Sequence, residues 1–159
     1  MKTKYLKITS FILAGIFCLA FSNADARKPT GHSKNHYTSR KKLSSSALAS
    51  MKINNIQFGF NKATVPDEAR SNLDKVTKLM KDNKASIKVE GYADSKGGYV
   101  YNWKLSQARA ESVKAYMVSQ GADSSRIAAT EFGYTHPIAS NKTASGRKKN
   151  RRVEIKFAN

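Results

Sequence analysis

The chain has 159 residues, with 29 lysines and arginines against 11 aspartates and glutamates, a formal net charge of +18. That length suits one domain of ordinary size with short attachments, and its single cysteine, Cys18, excludes an intrachain disulfide. So positive a balance favours a polyanionic partner: nucleic acid, an acidic membrane surface or an anionic cell-wall polymer.

Residues 1–7 carry three lysines and no acid, an apolar run fills residues 8–21, and the small-x-small triplet Ala24-Asp25-Ala26 follows. That order reads as a secretory signal peptide, residues 1–26, cut after Ala26. As a retained membrane helix the run of about 14 residues would fall short of the ~20 needed to span a bilayer. Cys18 follows Ile16 and Phe17, not the small residue that precedes a lipidated cysteine, so it reads as an apolar residue of the discarded peptide. The chain then enters an exported compartment, where cell-wall polymers and membranes are met far more often than nucleic acid. Residues 27–50 hold six basic residues and no acid, are rich in Ser and Thr, and show no sustained apolar period. They read as a basic flexible linker. His32 and His36 lie four apart within it without a third ligand, so no metal site is expected.

Order is expected over 51–159. Ile56, Phe58 and Phe60 alternate with Gln57 and Gly59, the period of a half-buried strand. Pro66 suits a helix first turn, with Asp67 and Glu68 at the positive end of the dipole. Ala69, Leu73, Val76 and Met80 recur on one face of a helix over about 66–83. Ile87, Val89 and Gly91 alternate with Lys88 and Glu90 in a second strand. A loop over 93–100 contains Gly97-Gly98. A second helix over about 103–120 carries Leu105, Ala108, Val113, Tyr116 and Met117 as its apolar stripe and ends at Gly121. Residues 126–134 read as a third strand, 141–148 as a polar loop or short helical turn, and Val153, Ile155 and Phe157 mark a last strand. The order β-α-β-α-β-β predicts an α+β two-layer sandwich, two helices packed on one mixed four-stranded sheet.

The chemistry concentrates in residues 90–113. Asn102, Ser106 and Arg109, spaced by four and three, share one helix face at about 100° per residue. That face looks inward, and an arginine there needs a partner. Asp94 stands just after a strand end, at the start of the Gly-rich loop that leads to this helix. Two readings follow from spacing: an intramolecular Asp94–Arg109 salt bridge, or two opposite charges flanking a pocket for a zwitterion, whose ammonium meets the carboxylate and whose carboxylate meets the guanidinium fork.

Gly91-Tyr92-Ala93-Asp94, then Asn102, Leu105-Ser106, Arg109-Ala110 and Val113, and finally Asn150-Arg151-Arg152-Val153-Glu154-Ile155 together resemble the signature of the OmpA-like peptidoglycan-binding domains. Gly121, Arg126-Ile127, Gly133 and Pro137 stand in family-like places between them. The resemblance covers about 51–159. It implies non-covalent binding of peptidoglycan in the periplasm, associated with the cell wall or outer membrane, and neither catalysis nor a cofactor. It also implies that Asp94 binds the amino group and Arg109 the neighbouring carboxylate at one end of meso-diaminopimelate. Asn102 and Leu105 would line the same pocket, and Arg151 would approach it from the last strand. Arg152 is a further ligand candidate with a weaker claim and an alternative structural role. Two departures remove polar side chains near the ligand: Gly59, where many members have an acid or amide, and Ala93, where many have threonine.

Tyr99, Tyr101 and Trp103 either cover the ligand or plug the helix–sheet seam, with the seam favoured. The basic run Gly146 to Arg152 resembles a nucleic-acid patch, but it follows an export signal and overlaps the closing motif, so nucleic acid is not an expected partner. Glu90 and Asp94 carry no mark of a glycosidase acid pair, and Ser106 has no activating base in sequence. The runner-up reading is an envelope adaptor, its basic tail binding an anionic membrane surface or other envelope proteins.

Overall fold

The computed structural model describes residues 42–158; the expected signal peptide and most of the expected linker lie outside them. In chain order the elements are α1 (Ser45–Ala49), β1 (Ile56–Gln57), α2 (Asp67–Asn83), β2 (Ile87–Gly91), α3 (Tyr99–Ser119), a 3-10 turn (Ser124–Arg126), β3 (Ile127–Glu131), α4 (Ala144–Asn150) and β4 (Arg152–Phe157). The strands form one mixed sheet in the order β1-β4-β2-β3. β4 runs antiparallel to both neighbours, and β2 runs parallel to β3, the strand it reaches through α3. The expected α+β architecture is present, with α2 and α3 as its two long helices and α1 and α4 as short additions.

Local chemistry accounts for the main elements. Pro66, at φ −67°, caps the start of α2, and Asp67 and Glu68 occupy its first turn. Ala69, Leu73, Val76 and Met80 all turn into the core, where each large side chain contributes roughly 1.5–3 kcal/mol by leaving water. β2 and β4 alternate as read: Ile87, Val89, Val153, Ile155 and Phe157 join the same core, with Val89 paired to Ile155. Val113 and Met117 of α3 close it from the helix side.

Several boundaries differ from the sequence reading. β1 ends at Gln57 rather than reaching Phe60, which is 65% exposed. Asn61 adopts a positive φ of 53° just beyond it, so the chain leaves the sheet as a turn. α3 begins at Tyr99, a full turn earlier than expected. Its buried face carries Ala110, not Ala108, because Asn102, Ser106 and Arg109 set the phase of the inward surface. The stretch expected as linker also contributes structure at its C-terminal end. Ser44 caps α1 by accepting from Ala47 N–H at 3.2 Å, Leu48 is buried in the core, and Leu43 N–H donates to Asn83 Oδ1 at 2.7 Å. One leucine in a serine-rich run leaves no periodic signal, and it is the tertiary contact that orders it.

β2 meets α3 at very short range. A Cβ on Gly91 would stand 2.0 Å from the Ser106 carbonyl oxygen, so only glycine lets the strand end come so close to the helix. Ser106 completes the joint: its hydroxyl donates to Trp103 O at 2.7 Å and accepts from Gly133 N–H at 3.0 Å. The first half of α3 is thereby fixed over the ends of β2 and β3.

Candidate functional site

The site grows from that joint. After β2, Ala93 N–H donates to Gly133 O at 2.7 Å. The chain then turns at Asp94, whose Oδ1 accepts from Lys96 N–H at 2.8 Å. Gly97, at φ +98°, reverses the backbone so that α3 can start at Tyr99. Asn102, on the buried face of α3, holds this loop by donating to Lys96 O at 3.0 Å and Gly97 O at 3.3 Å.

Asp94 and Arg109 do not bond each other. The second Asp94 oxygen receives Arg151 Nη1 at 2.9 Å. Arg151 comes from the junction between α4 and β4 and also donates through Nε to Phe58 O at 3.1 Å. Arg109 is fully buried and donates to three backbone carbonyls: Lys62 O at 2.9 Å, Tyr92 O at 2.9 Å and Gly59 O at 3.2 Å. Its guanidinium lies 5.4 Å from the centre of the Phe58 ring. The turn between β1 and α2 is therefore pinned onto α3 by Arg109.

Asp94, Asn102, Leu105, Arg109 and Arg151 nevertheless line one narrow cleft, which as it stands encloses only about 10 Å³. Phe60, Asn61 and Tyr101 form its outer wall, and Tyr101 O–H donates to Asn61 Oδ1 across it. Tyr101 thus stands at the cleft and is 48% exposed, not sealed in the helix–sheet seam. Phe60 read as a strand residue and Asn61 carried no signal; both lie in the turn after β1, where Asn61 takes a positive φ, and both line the cleft.

The cleft is lined by two guanidiniums, the Lys96 side chain and one carboxylate. Burial, and next the charge of Arg151, push the Arg109 pKa down to about 10, against the opposing pull of Asp94. Arg109 therefore stays cationic at neutral pH. A guanidinium offers five N–H donors, so the three carbonyls leave Arg109 two, and each Asp94 oxygen retains a lone pair. The arrangement can take an anionic group against the arginines and a cationic group against Asp94.

Arg152 lies elsewhere. Strand alternation sends it to the opposite face of the sheet from Val153, where it sits 3.8 Å over the Tyr92 ring and bonds Glu154 Oε1 at 2.7 Å. Asn150, in the same closing motif, is wholly buried and ties down the loop before α4 through Ile138 N–H, Ala139 N–H and Ala139 O. Among the described residues, no group of three His, Cys, Asp or Glu side chains could hold a metal ion.

The chain is similar to known proteins in both sequence and fold. The model of the OmpA family matches residues 57–151. The chain is 50% identical over 102 residues to outer membrane protein A of Bordetella avium, an overlap of 63% of this chain and 52% of that protein. It spans about half the length of the curated relatives it matches. Among solved structures, the peptidoglycan-associated lipoprotein from Burkholderia pseudomallei superposes with a TM-score of 0.64 at 25% identity, covering 65% of this chain and 89% of that one. The cell wall anchor of the T6SS from Pseudomonas aeruginosa does so with a TM-score of 0.55 at 36% identity, covering 65% and 76%.

Proposed function

From the premise that this chain belongs to the OmpA family, we propose that it binds peptidoglycan non-covalently through the meso-diaminopimelate of a stem peptide and so tethers the cell envelope. The observation that carries this reading is the convergence of the Asp94 carboxylate with the Arg109 and Arg151 guanidiniums on a single cleft. The free end of the diamino acid carries an ammonium and a carboxylate on one carbon. Asp94 accepts the ammonium, and once the wall of Phe60, Asn61 and Tyr101 parts, the two N–H groups that the buried Arg109 keeps free meet the carboxylate. Arg151 balances Asp94 when no ligand is bound, which keeps a buried acid paired. Asn102 and Leu105 shape the wall, and the site binds rather than transforms its ligand. Two structural neighbours, a peptidoglycan-associated lipoprotein and a cell wall anchor, support the reading.

The test is co-sedimentation of the full chain with purified sacculi in moderate salt, with free meso-diaminopimelate as competitor. Asp94→Asn keeps the shape of the side chain and its bond from Lys96 N–H while removing the charge. The expected results are loss of sedimentation with Asp94→Asn and displacement of the wild type by the competitor. Wild-type behaviour of Asp94→Asn, together with indifference to meso-diaminopimelate, would overturn the proposal.

A further inference from the structure

A second and larger cavity adjoins the cleft, and Arg151 borders both. This groove, about 920 Å³ of empty space including its open side, runs past Phe58 and Gly59 between the start of α2 and α4. Its charged lining is Lys62, Arg70, Lys148 and Arg151 against Asp67 and Glu68. Arg70 and Asp67 satisfy each other at 2.8 Å. That leaves Lys62, Lys148 and the second terminal nitrogen of Arg151 facing Glu68 alone. Among the described residues, neither lysine ammonium makes an ion pair. The Arg151 Nη2 has no hydrogen-bond partner among them either. Gly59 adds no side chain to the floor.

We infer that this groove is a second anion subsite, which takes a carboxylate borne by the stem peptide next to the diamino acid held in the cleft; the inference rests on the peptidoglycan reading. Arg151 is the reason for placing the two ligand groups side by side. Its Nε and Nη1 are fixed by Phe58 O and Asp94, so the guanidinium plane is set before any ligand arrives. Because one side chain borders both cavities, a single peptide can occupy the two at once, its diamino acid in the cleft and its neighbouring carboxylate in the groove. A free amino acid fills only the cleft. A peptide with a carboxylate on the adjoining residue reaches Nη2 of Arg151 and the two lysines as well, through charge-assisted hydrogen bonds. Lys62 and Lys148 are exposed, so added salt weakens this second contact before it weakens the buried one.

The experiment is calorimetric titration of the full chain with three ligands. These are free meso-diaminopimelate, a diaminopimelate-containing stem tripeptide whose neighbouring acidic residue keeps its free carboxylate, and the same tripeptide with that carboxylate amidated. Each is repeated with the double variant Lys62→Gln, Lys148→Gln, whose two side chains are exposed and make no ion pair among the described residues, and which keeps the Lys62 backbone carbonyl that Arg109 holds. The wild type should bind the free-acid tripeptide about tenfold more tightly than the amidated one. The double variant should bring the two tripeptides close together while leaving free meso-diaminopimelate unchanged. Equal wild-type affinity for both tripeptides, or a preference that survives in the double variant, overturns the subsite and leaves the cleft reading standing. Failure of all three ligands to bind overturns the peptidoglycan reading and the subsite with it.

Discussion

The carboxylate of Asp94 is held by Arg151, 2.9 Å from Oδ2 to Nη1, and Arg109 makes no bond to it. The two arginines therefore divide two tasks. Arg151 neutralises the acid at the cleft, while Arg109 builds the cleft by gathering three carbonyls from the strand end and the turn that wall it.

That division sets the stabilities of the Arg151 and Asp94 variants apart. Arg151→Ala leaves a carboxylate that is only 4% exposed without its cation, a loss of about 3 kcal/mol. Asp94→Asn leaves Arg151 unpaired instead, but that side chain is 14% exposed and can turn to water, so the loss should be milder. Urea unfolding of the two variants checks this, and equal midpoints would contradict the pairing.

Arg109→Ala should act first on folding. It strips donors from Gly59, Lys62 and Tyr92 carbonyls at a fully buried position, and each lost partner costs about 1–3 kcal/mol. Arg109→Lys should recover little, because a single ammonium cannot span three carbonyls set for a planar fork. Denaturant midpoints measured beside sacculus binding should show both variants losing stability as well as ligand. A stable but non-binding Arg109→Ala would mean that the three carbonyl bonds are dispensable.

Leu48 makes the helix before the first strand part of the fold. Leu48→Ala should destabilise the chain by about 2–3 kcal/mol, and a chain begun at Met51 should melt below one begun at Lys42. Thermal unfolding of the pair measures it; identical melting temperatures would show α1 to be an ornament.

Tyr92 should ionise late. Burial first, and then its bond to Glu90 Oε2 at 3.0 Å, raise its phenol from the ordinary value near 10 to about 12. The folded state thus retains this proton longer than the unfolded chain does. The resulting stabilisation is fully present below about pH 10 and disappears as the pH rises through about 12. Tyr92→Phe preserves the ring beneath Arg152 and should flatten that alkaline fall. Difference absorbance of tyrosinate should show one late-titrating phenol fewer in the variant.

The long elements were legible because their signals are local. Ala69, Leu73, Val76 and Met80 repeat at the helical period, and Val153, Ile155 and Phe157 at the strand period, so each declared its own buried face. The candidate cleft was legible as a grouping: Asp94, Asn102, Leu105, Arg109 and Arg151 line it, and Arg152 does not. It was not legible as a set of bonds. Spacing offered Asp94 a partner fifteen positions on, in Arg109, whereas the fold supplies one fifty-seven positions on, in Arg151.

By itself, then, the amino-acid order determined the architecture and the inward polar face of α3. Tertiary structure alone decided which arginine neutralises Asp94, that Arg152 faces away from the cleft, that Leu48 belongs to the core, and that Phe60, Asn61 and Tyr101 form a wall. The reason is physical. Periodicity and turn chemistry act between residues a few positions apart, while pairing of buried charges is settled by whichever distant group the packed chain brings within about 3 Å.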